Sequence, residues 1–438
     1  MKNEETTFGG RGESQLLRDK LVMRYAVKAP SVLKADIKLP ASKSIGNRAL
    51  VINALAGGSC MPDNLSDCDD TAVMVKALRD MPYEIDIKAA GTAMRFMTAY
   101  LAATSGEHVI TGTERMRHRP IAILVDALRS LGAHIEYMGE EGFPPLRING
   151  RQLYGRQLEI PGNVSSQYIS ALLMIAPTLR SDLELKLTGD IFSRPYIDLT
   201  IWMMKEFGAE VEWNDIDTIV VKARPYKSIP YYIENDWSAS SYWYEMMALS
   251  GNEDDEVLLE GLSDGSKQGD SMVRYIFSLL GVKTSFEGSA ERGVQRVRLR
   301  NTGHSVPRLE YDFVNAPDLA QTIVATCLAR EIPFVFKGLG TLKIKETDRI
   351  DALKTEARKL GYVLRDEDNS ILIWDGERCQ PQEEVVIDTY EDHRMALAFA
   401  PLAFRVPGIR INNPQVVTKS YPHYWEDLAK VGFEITED

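Results

Sequence analysis

Apolar residues recur along this chain at helix and strand periods, in blocks that repeat. Ile45, Ala49, Ile52, Leu55 and Ala56 keep three- and four-residue spacing until Gly57-Gly58, which predicts a helix ending near Leu55. Arg24 to Lys28 and Ala35 to Leu39 read as strands. Further helices are predicted over Asp69 to Met81 and from Gly91 to Ala103, followed by a strand at His108 to Thr111. Beyond these, five helix ends share the form apolar-x-x-apolar-Gly and lead into a strand. Their glycines are Gly132, Gly208, Gly281, Gly361 and Gly432, spaced 71 to 80 residues apart. Each fits the position after a helix, where a left-handed backbone is cheap only without a Cβ. The following segments alternate, as in His134-Ile135-Glu136-Tyr137 and Glu210-Val211-Glu212-Trp213. Such a period is too long for a solenoid and suits a repeated α/β unit. Counting back, Leu78-Arg79-Asp80-Met81 ends a first unit and makes six. Only residues 82–88 separate it from the Gly91 helix, so that unit is shortened.

The 438 residues are 44% hydrophobic and 26% charged, enough for two domains or more. Ala223-Arg224-Pro225 to Asp236, rich in Pro, Tyr and Ser, marks one boundary, and a second crossing falls at Leu39-Pro40. The expected division is a disordered extension over 1–22, one domain of 23–40 plus 234–438, and a second of 41–233. A net charge of −12 argues against nucleic-acid binding by bulk electrostatics, yet allows a local basic cleft. Cys60, Cys68, Cys327 and Cys379 lack CxxC or metal spacing and read as reduced thiols of a cytosolic protein. No apolar run reaches membrane-span length, and no signal-peptide core opens the chain.

Charge then gathers at helix starts. Leu39-Pro40-Ala41-Ser42-Lys43-Ser44 feeds the first helix with hydroxyls, free amides and a lysine, and Arg48 follows one turn on. Unpaired N–H groups and the helix dipole favour an anion there. Alone, the stretch reads equally as an N-capped helix. Arg115-Met116-Arg117-His118-Arg119-Pro120, if extended, points three arginines to one face. Lys345-Glu346-Thr347-Asp348-Arg349 opens an amphipathic helix; its like-charged i,i+4 pair suits an anion between them, or neutralisation by Glu346 and Asp348. Asp392-His393-Arg394 and Ser165-Ser166-Gln167 open strongly apolar helices, and Asp318 starts another. Lys419, alone, would be a surface lysine. Together these predict a basic cleft for ligands carrying several negative charges, with Asp318 and Glu346 as acid/base candidates beside the cations. GxxxxGK[ST], strand-linked GxGxxG, GxSxG and HExxH are all missing from the sequence.

These residues, with Gly91-Thr92-Ala93-Met94-Arg95 and Ser193-Arg194-Pro195-Tyr196-Ile197-Asp198, closely resemble the 3-phosphoshikimate 1-carboxyvinyltransferase (EPSP synthase) family, in order from about residue 24 to 436. The resemblance implies a two-domain inverted α/β barrel-like enolpyruvyl transferase fold of six βαβαββ-type units, the first shortened here. It implies a monomer with no metal or organic cofactor, acting on shikimate 3-phosphate and phosphoenolpyruvate in aromatic amino-acid biosynthesis, with neither nucleic-acid nor membrane partners. By motif, Lys43, Ser44, Arg48, Ser165, Ser166, Gln167, Ser193, Tyr196, Asp318 and Lys345 would hold shikimate 3-phosphate. Lys43, Gly91, Thr92, Arg119, Gln167, Arg349, His393, Arg394 and Lys419 would hold phosphoenolpyruvate. The implied chemistry is addition then elimination: Asp318 takes the 5-hydroxyl proton, Glu346 protonates C3, and Lys43 assists either step. Domain closure would keep water out.

The chain departs from the family pattern at Ala89, where asparagine is common, at Thr341, where asparagine often serves the phosphoshikimate site, and at Phe96, where proline is common. A related UDP-N-acetylglucosamine enolpyruvyl transferase typically has Lys-Asn at Lys43-Ser44 and a reactive loop cysteine, which this chain lacks between Cys68 and Cys327. A non-catalytic phosphoshikimate-binding relative is the other alternative.

Overall fold

The computed structural model describes residues 23–58, 61–288 and 295–438. The expected extension over 1–22 and the Cys60 thiol lie outside these. Two hydrophobic cores divide the chain. One gathers Val27 to Leu39 with Trp237 to Phe433, the other Ala41 to Ile233. The chain passes between them twice, and the two crossings are tied together. Ser42 N–H donates to Glu234 O at 2.9 Å, Asp236 N–H to Pro40 O at 2.9 Å, and Asn235 Nδ2 to Leu39 O at 2.7 Å.

The described residues form five four-stranded sheets of one design. In the simplest, Gln157–Pro161 and Leu183–Thr188 run parallel, joined through the Ser166–Ile175 helix, and Thr218–Val221 then Val211–Trp213 complete the sheet antiparallel. Parallel strands need a long crossover connection, here a helix, whereas the last two strands need only a hairpin. The N-terminal segment completes two sheets of the other half. Arg24–Lys28 lies between Ile409–Asn412 and Glu434–Glu437, and Lys34–Lys38 pairs in parallel with Glu256–Glu260.

The repeated glycines sit where the pattern required them. Gly132, Gly208, Gly281, Gly361 and Gly432 have φ between +83° and +100°. Met81 takes the same left-handed position at the end of the Asp69–Asp80 helix, with φ of +38°. The unit that it closes keeps its helices but has no sheet of its own among the described residues. Glu84–Asp86 instead pairs with Gly106–Thr111 as the first strand of the next sheet.

Candidate active site

Helix starts from both halves meet at one cavity. In the N-terminal half, Ser42 caps the Lys43–Leu55 helix by accepting from Ile45 N–H at 3.4 Å. This sets Lys43 and Ser44 on the cavity wall. Lys43 Nζ lies 3.2 Å from Asp70 Oδ2; burial works against the ammonium, but Asp70, Cys68 and Glu346 together outweigh it and hold the proton more tightly than usual. Arg48 is anchored by the protein. Nε donates to Thr200 Oγ1 at 2.7 Å, Nη1 to Ser44 O at 2.8 Å, and Nη2 to Ser170 Oγ and Tyr196 O at 3.2 and 3.3 Å. Burial without a carboxylate partner lowers its pKa to about 10.

Gly91 and Thr92 open the Gly91–Ala103 helix against this wall, and Gln167 Nε2 donates to Thr92 Oγ1 at 3.0 Å. Ser165 caps the Ser166–Ile175 helix through Gln167 N–H, placing Ser166 and Gln167 beside it. Ser193 and Tyr196 approach from the start of the Arg194–Glu206 helix. The run from Arg115 to Arg119 departs from the sequence expectation. Glu114–Arg117 forms one helical turn capped by Thr113, so the three arginines do not share a face. Arg115 and Arg117 are exposed and bond carbonyls of Glu346 and Gly112, whereas Arg119 is buried and lines the cavity, its Nε unpartnered among the described residues.

In the C-terminal half one guanidinium organises three carboxylates. Arg349 donates to Asp392 from Nε at 2.7 Å and from Nη2 at 3.2 Å, to Asp318 Oδ1 at 3.0 Å and to Glu346 Oε2 at 3.0 Å. Asp392 also caps the His393–Phe399 helix through Arg394 N–H at 3.0 Å. Asp318 further meets Arg394 Nη2 at 3.0 Å and Lys345 Nζ at 3.5 Å, and Glu346 meets Lys419 Nζ at 2.9 Å. Burial pushes both acids up, but Arg394, Lys345 and Arg349 around Asp318 outweigh it, as do Lys419, Arg349 and Arg119 around Glu346. Both carboxyls end well below the usual carboxylate range. Burial, then Lys43 and Arg394, keep His393 neutral, and neither ring nitrogen has a hydrogen-bond partner among the described residues.

Two expectations about this half need correction. The helix begins at Arg349, capped by Asp348, so Lys345 and Glu346 precede it and the i,i+4 reasoning fails. Glu346 neutralises Arg349 as expected, and Asp318 rather than Asp348 meets both Lys345 and Arg349. Lys419 is buried rather than a surface lysine, because its ammonium is held by Glu346 at the end of a short 3₁₀ helix. It reaches the cavity through Glu346 and is not itself part of the wall; all the other expected residues line it.

Asp70, Arg95, Pro120, Tyr168 and Ile344 also line the cavity and were not singled out as site residues. Arg95 stands in the Gly91–Arg95 motif, one turn from Gly91, and donates to Gly91 O and Pro120 O. Burial and Arg119 lower its pKa to about 10. Thr341 lines the cavity, and its hydroxyl has no hydrogen-bond partner among the described residues. Seven cationic side chains and three carboxylates share the wall, so an acidic chain carries a basic cleft that focuses its field on small anions. Among the described residues, no group of three or more His, Cys, Asp or Glu side chains could hold a metal ion, and no helix is long and apolar enough to cross a membrane.

A family model described as EPSP synthase (3-phosphoshikimate 1-carboxyvinyltransferase) matches residues 27–86 and 81–428. A 3-phosphoshikimate 1-carboxyvinyltransferase of Bacteroides fragilis is 60% identical over 413 residues, covering 94% of this chain and 99% of that protein. One from Janthinobacterium sp. is 35% identical over 435 residues, covering 91% and 95%. In fold, the chain is similar to EPSP synthase from Acinetobacter baumannii, with a TM-score of 0.75 at 20% identity over 94% of this chain and 100% of that one. It is also similar to the enolpyruvyl transferase NikO from Streptomyces tendae, with a TM-score of 0.68 at 14% identity over 95% and 99%.

Proposed function

The chain belongs to the EPSP synthase (3-phosphoshikimate 1-carboxyvinyltransferase) family, a transferase of the shikimate pathway, and we propose that its interdomain cavity holds both substrates in the following roles. The enzyme moves the enolpyruvyl group of phosphoenolpyruvate to shikimate 3-phosphate. Ser44, Arg48, Ser165, Ser166, Gln167, Ser193, Tyr196 and Lys345 form the phosphoshikimate side. Arg48 has five N–H groups and the protein engages four, leaving one on Nη1 for a phosphate oxygen. Lys43, Gly91, Thr92, Arg119, Gln167, Arg349, His393, Arg394 and Lys419 form the phosphoenolpyruvate side, where arginines suit carboxylate and phosphate alike.

The 5-hydroxyl oxygen attacks C2 of phosphoenolpyruvate while C3 gains a proton, giving a tetrahedral intermediate. Loss of a C3 proton and of the C2–O bond to phosphate then leaves the enol ether. Asp318 is ionised and can take the hydroxyl proton. Glu346 is the donor to C3, although its surrounding cations keep it ionised in the free cavity. A bound phosphoenolpyruvate brings its own negative charges to Lys419, Arg349 and Arg119, which weakens their hold on Glu346 and raises its pKa. The acid is therefore armed by the substrate that needs it.

One observation carries this reading: Asp318 and Glu346 are both held 3.0 Å from the Arg349 guanidinium, inside a wall of cations. Every group required comes from one chain, which favours a monomer. The free Cys68, Cys327 and Cys379 thiols suit a reducing, cytoplasmic setting. Phosphate release measured with both substrates, and with each omitted, tests the reading. Release that needs both supports it. Tight phosphoshikimate binding without release would make the chain a non-catalytic relative. Release with UDP-N-acetylglucosamine in place of shikimate 3-phosphate would overturn the choice of acceptor.

A further inference from the structure

The two halves meet at a knuckle beside the cavity that no catalytic step uses. Ser193, Pro195 and Tyr196 belong to the N-terminal half, and Gly269, Asp270 and Val314 to the other. Ser193 holds a left-handed backbone, φ +55°, and its N–H donates to Val314 O at 3.0 Å. Pro195 packs so closely on Gly269 that a Cβ there would lie 2.8 Å from Pro195 Cβ. Tyr196 Oη donates to Asp270 Oδ1 at 3.2 Å, while Ser238 Oγ donates to Oδ2. Asp270 is 3% exposed, yet it does not line the cavity.

A non-glycine residue persists at positive φ only where its surroundings over-determine it. Here the strained residue and the phenol one turn later are held in part by atoms of the opposite half, beside the bonds that Arg48 and Thr200 make to Tyr196 O within their own half. Their positions in the cavity therefore depend in part on the two halves being together. We infer that Asp270 is a positioning residue for the reaction, receiving Tyr196 across the cleft and tying closure of the two halves to assembly of the phosphoshikimate side. This rests on the assignment of Ser193 and Tyr196 to that side. Asp270 acts through Tyr196 and touches no reacting atom. Burial and the nearby Asp318 charge raise its carboxyl to about 6, so at neutral pH it still accepts both hydroxyl bonds.

The test measures three things for the full chain: shikimate 3-phosphate affinity by calorimetry, the fall in radius of gyration on saturation by small-angle scattering, and KM against kcat. Asp270→Ala should weaken phosphoshikimate binding about 10- to 100-fold, since it strands a buried hydrogen-bonding partner, and should reduce the compaction. Asp270→Asn should recover most of the affinity, because its amide oxygen still accepts from Tyr196. Gly269→Ala leaves the carboxyl intact and only adds a methyl at the contact; it should blunt the compaction with little change in melting temperature. Tyr196→Phe and Asp270→Ala should not add in the double variant. A wild-type chain that binds and compacts, with variants that do both equally well, would overturn the role of Asp270. A wild-type chain that does not bind shikimate 3-phosphate would overturn the reading of the cavity, and this inference with it.

Discussion

Lys419 Nζ stands 2.9 Å from Glu346 Oε1, and both side chains are almost wholly buried. Lys419 helps to hold Glu346, the proposed proton donor, in its ionised form.

Replacing Glu346 by Gln keeps the hydrogen-bonding shape and removes the titratable proton. The expected result is a fall in kcat of about 10²- to 10⁴-fold, the range of a lost general acid. Shikimate 3-phosphate affinity should change by less than about threefold if, as proposed, Glu346 faces the other substrate. Steady-state phosphate release and calorimetry separate the two. A variant that keeps its kcat would move the acid role to another group.

Gly91 lies against the Arg119 guanidinium: a Cβ built on it would be 2.6 Å from Nη1 and 2.9 Å from Nη2. The far end of a flexible side chain can yield, so Gly91→Ala should fold but displace Arg119 from the proposed phosphoenolpyruvate side. KM for phosphoenolpyruvate is expected to rise about 10- to 100-fold, as for one weakened charge-assisted hydrogen bond. Phosphoshikimate affinity should hold. Equal losses for both substrates would point to a general distortion of the wall.

Much of this was legible in the chain because backbone needs leave marks. The repeated glycines announce left-handed helix ends whatever packs around them. Met81 hides the first such end, since its side chain conceals the same backbone requirement. Motifs at helix starts were readable for a similar reason: capping and anion binding use the same few residue types. Arg115 to Arg119 does not meet the condition of extended backbone, because Thr113 capping Met116 N–H turns the run into a helical turn. Asp70 and Tyr168 carried no local signal. Each matters through a partner distant in sequence, Lys43 for one and Pro120 for the other.

His423 bridges the halves on the outer surface, with Nε2 2.8 Å from Asp67 Oδ2 and Nδ1 3.0 Å from Glu426. Asp67, then Glu426, raise its pKa above the ordinary histidine value. Only the Asp67 contribution depends on closure. Protonation and closure therefore favour each other: the gain is complete below the value His423 keeps with Glu426 alone and disappears as pH rises through the higher value that Asp67 adds. Phosphoshikimate affinity should weaken about 1.5- to 5-fold across that window, the scale of an exposed pair, and less in high salt. His423→Gln should flatten this dependence. An unchanged slope in the variant would detach His423 from closure.

Glu245 lies fully buried in the Trp237–Leu249 helix, and neither carboxylate oxygen has a hydrogen-bond partner among the described residues. Burial alone drives its pKa well above the usual carboxylate range, so it is protonated in the folded state. The unfolded chain titrates it near the ordinary value, about 4.3. A carboxyl raised on folding adds its full stability below the unfolded value, and that stability declines as pH rises through the window between the two values. Glu245→Leu removes both the titration and a buried polar group without a partner. It should stabilise the protein by about 1–3 kcal/mol at pH 8 and by less at pH 5.5. Urea unfolding at the two pH values measures the difference. Phosphate release should be unaffected, because Glu245 is not part of the cavity wall. Stabilisation equal at both pH values would mean that the carboxyl finds a partner and stays ionised.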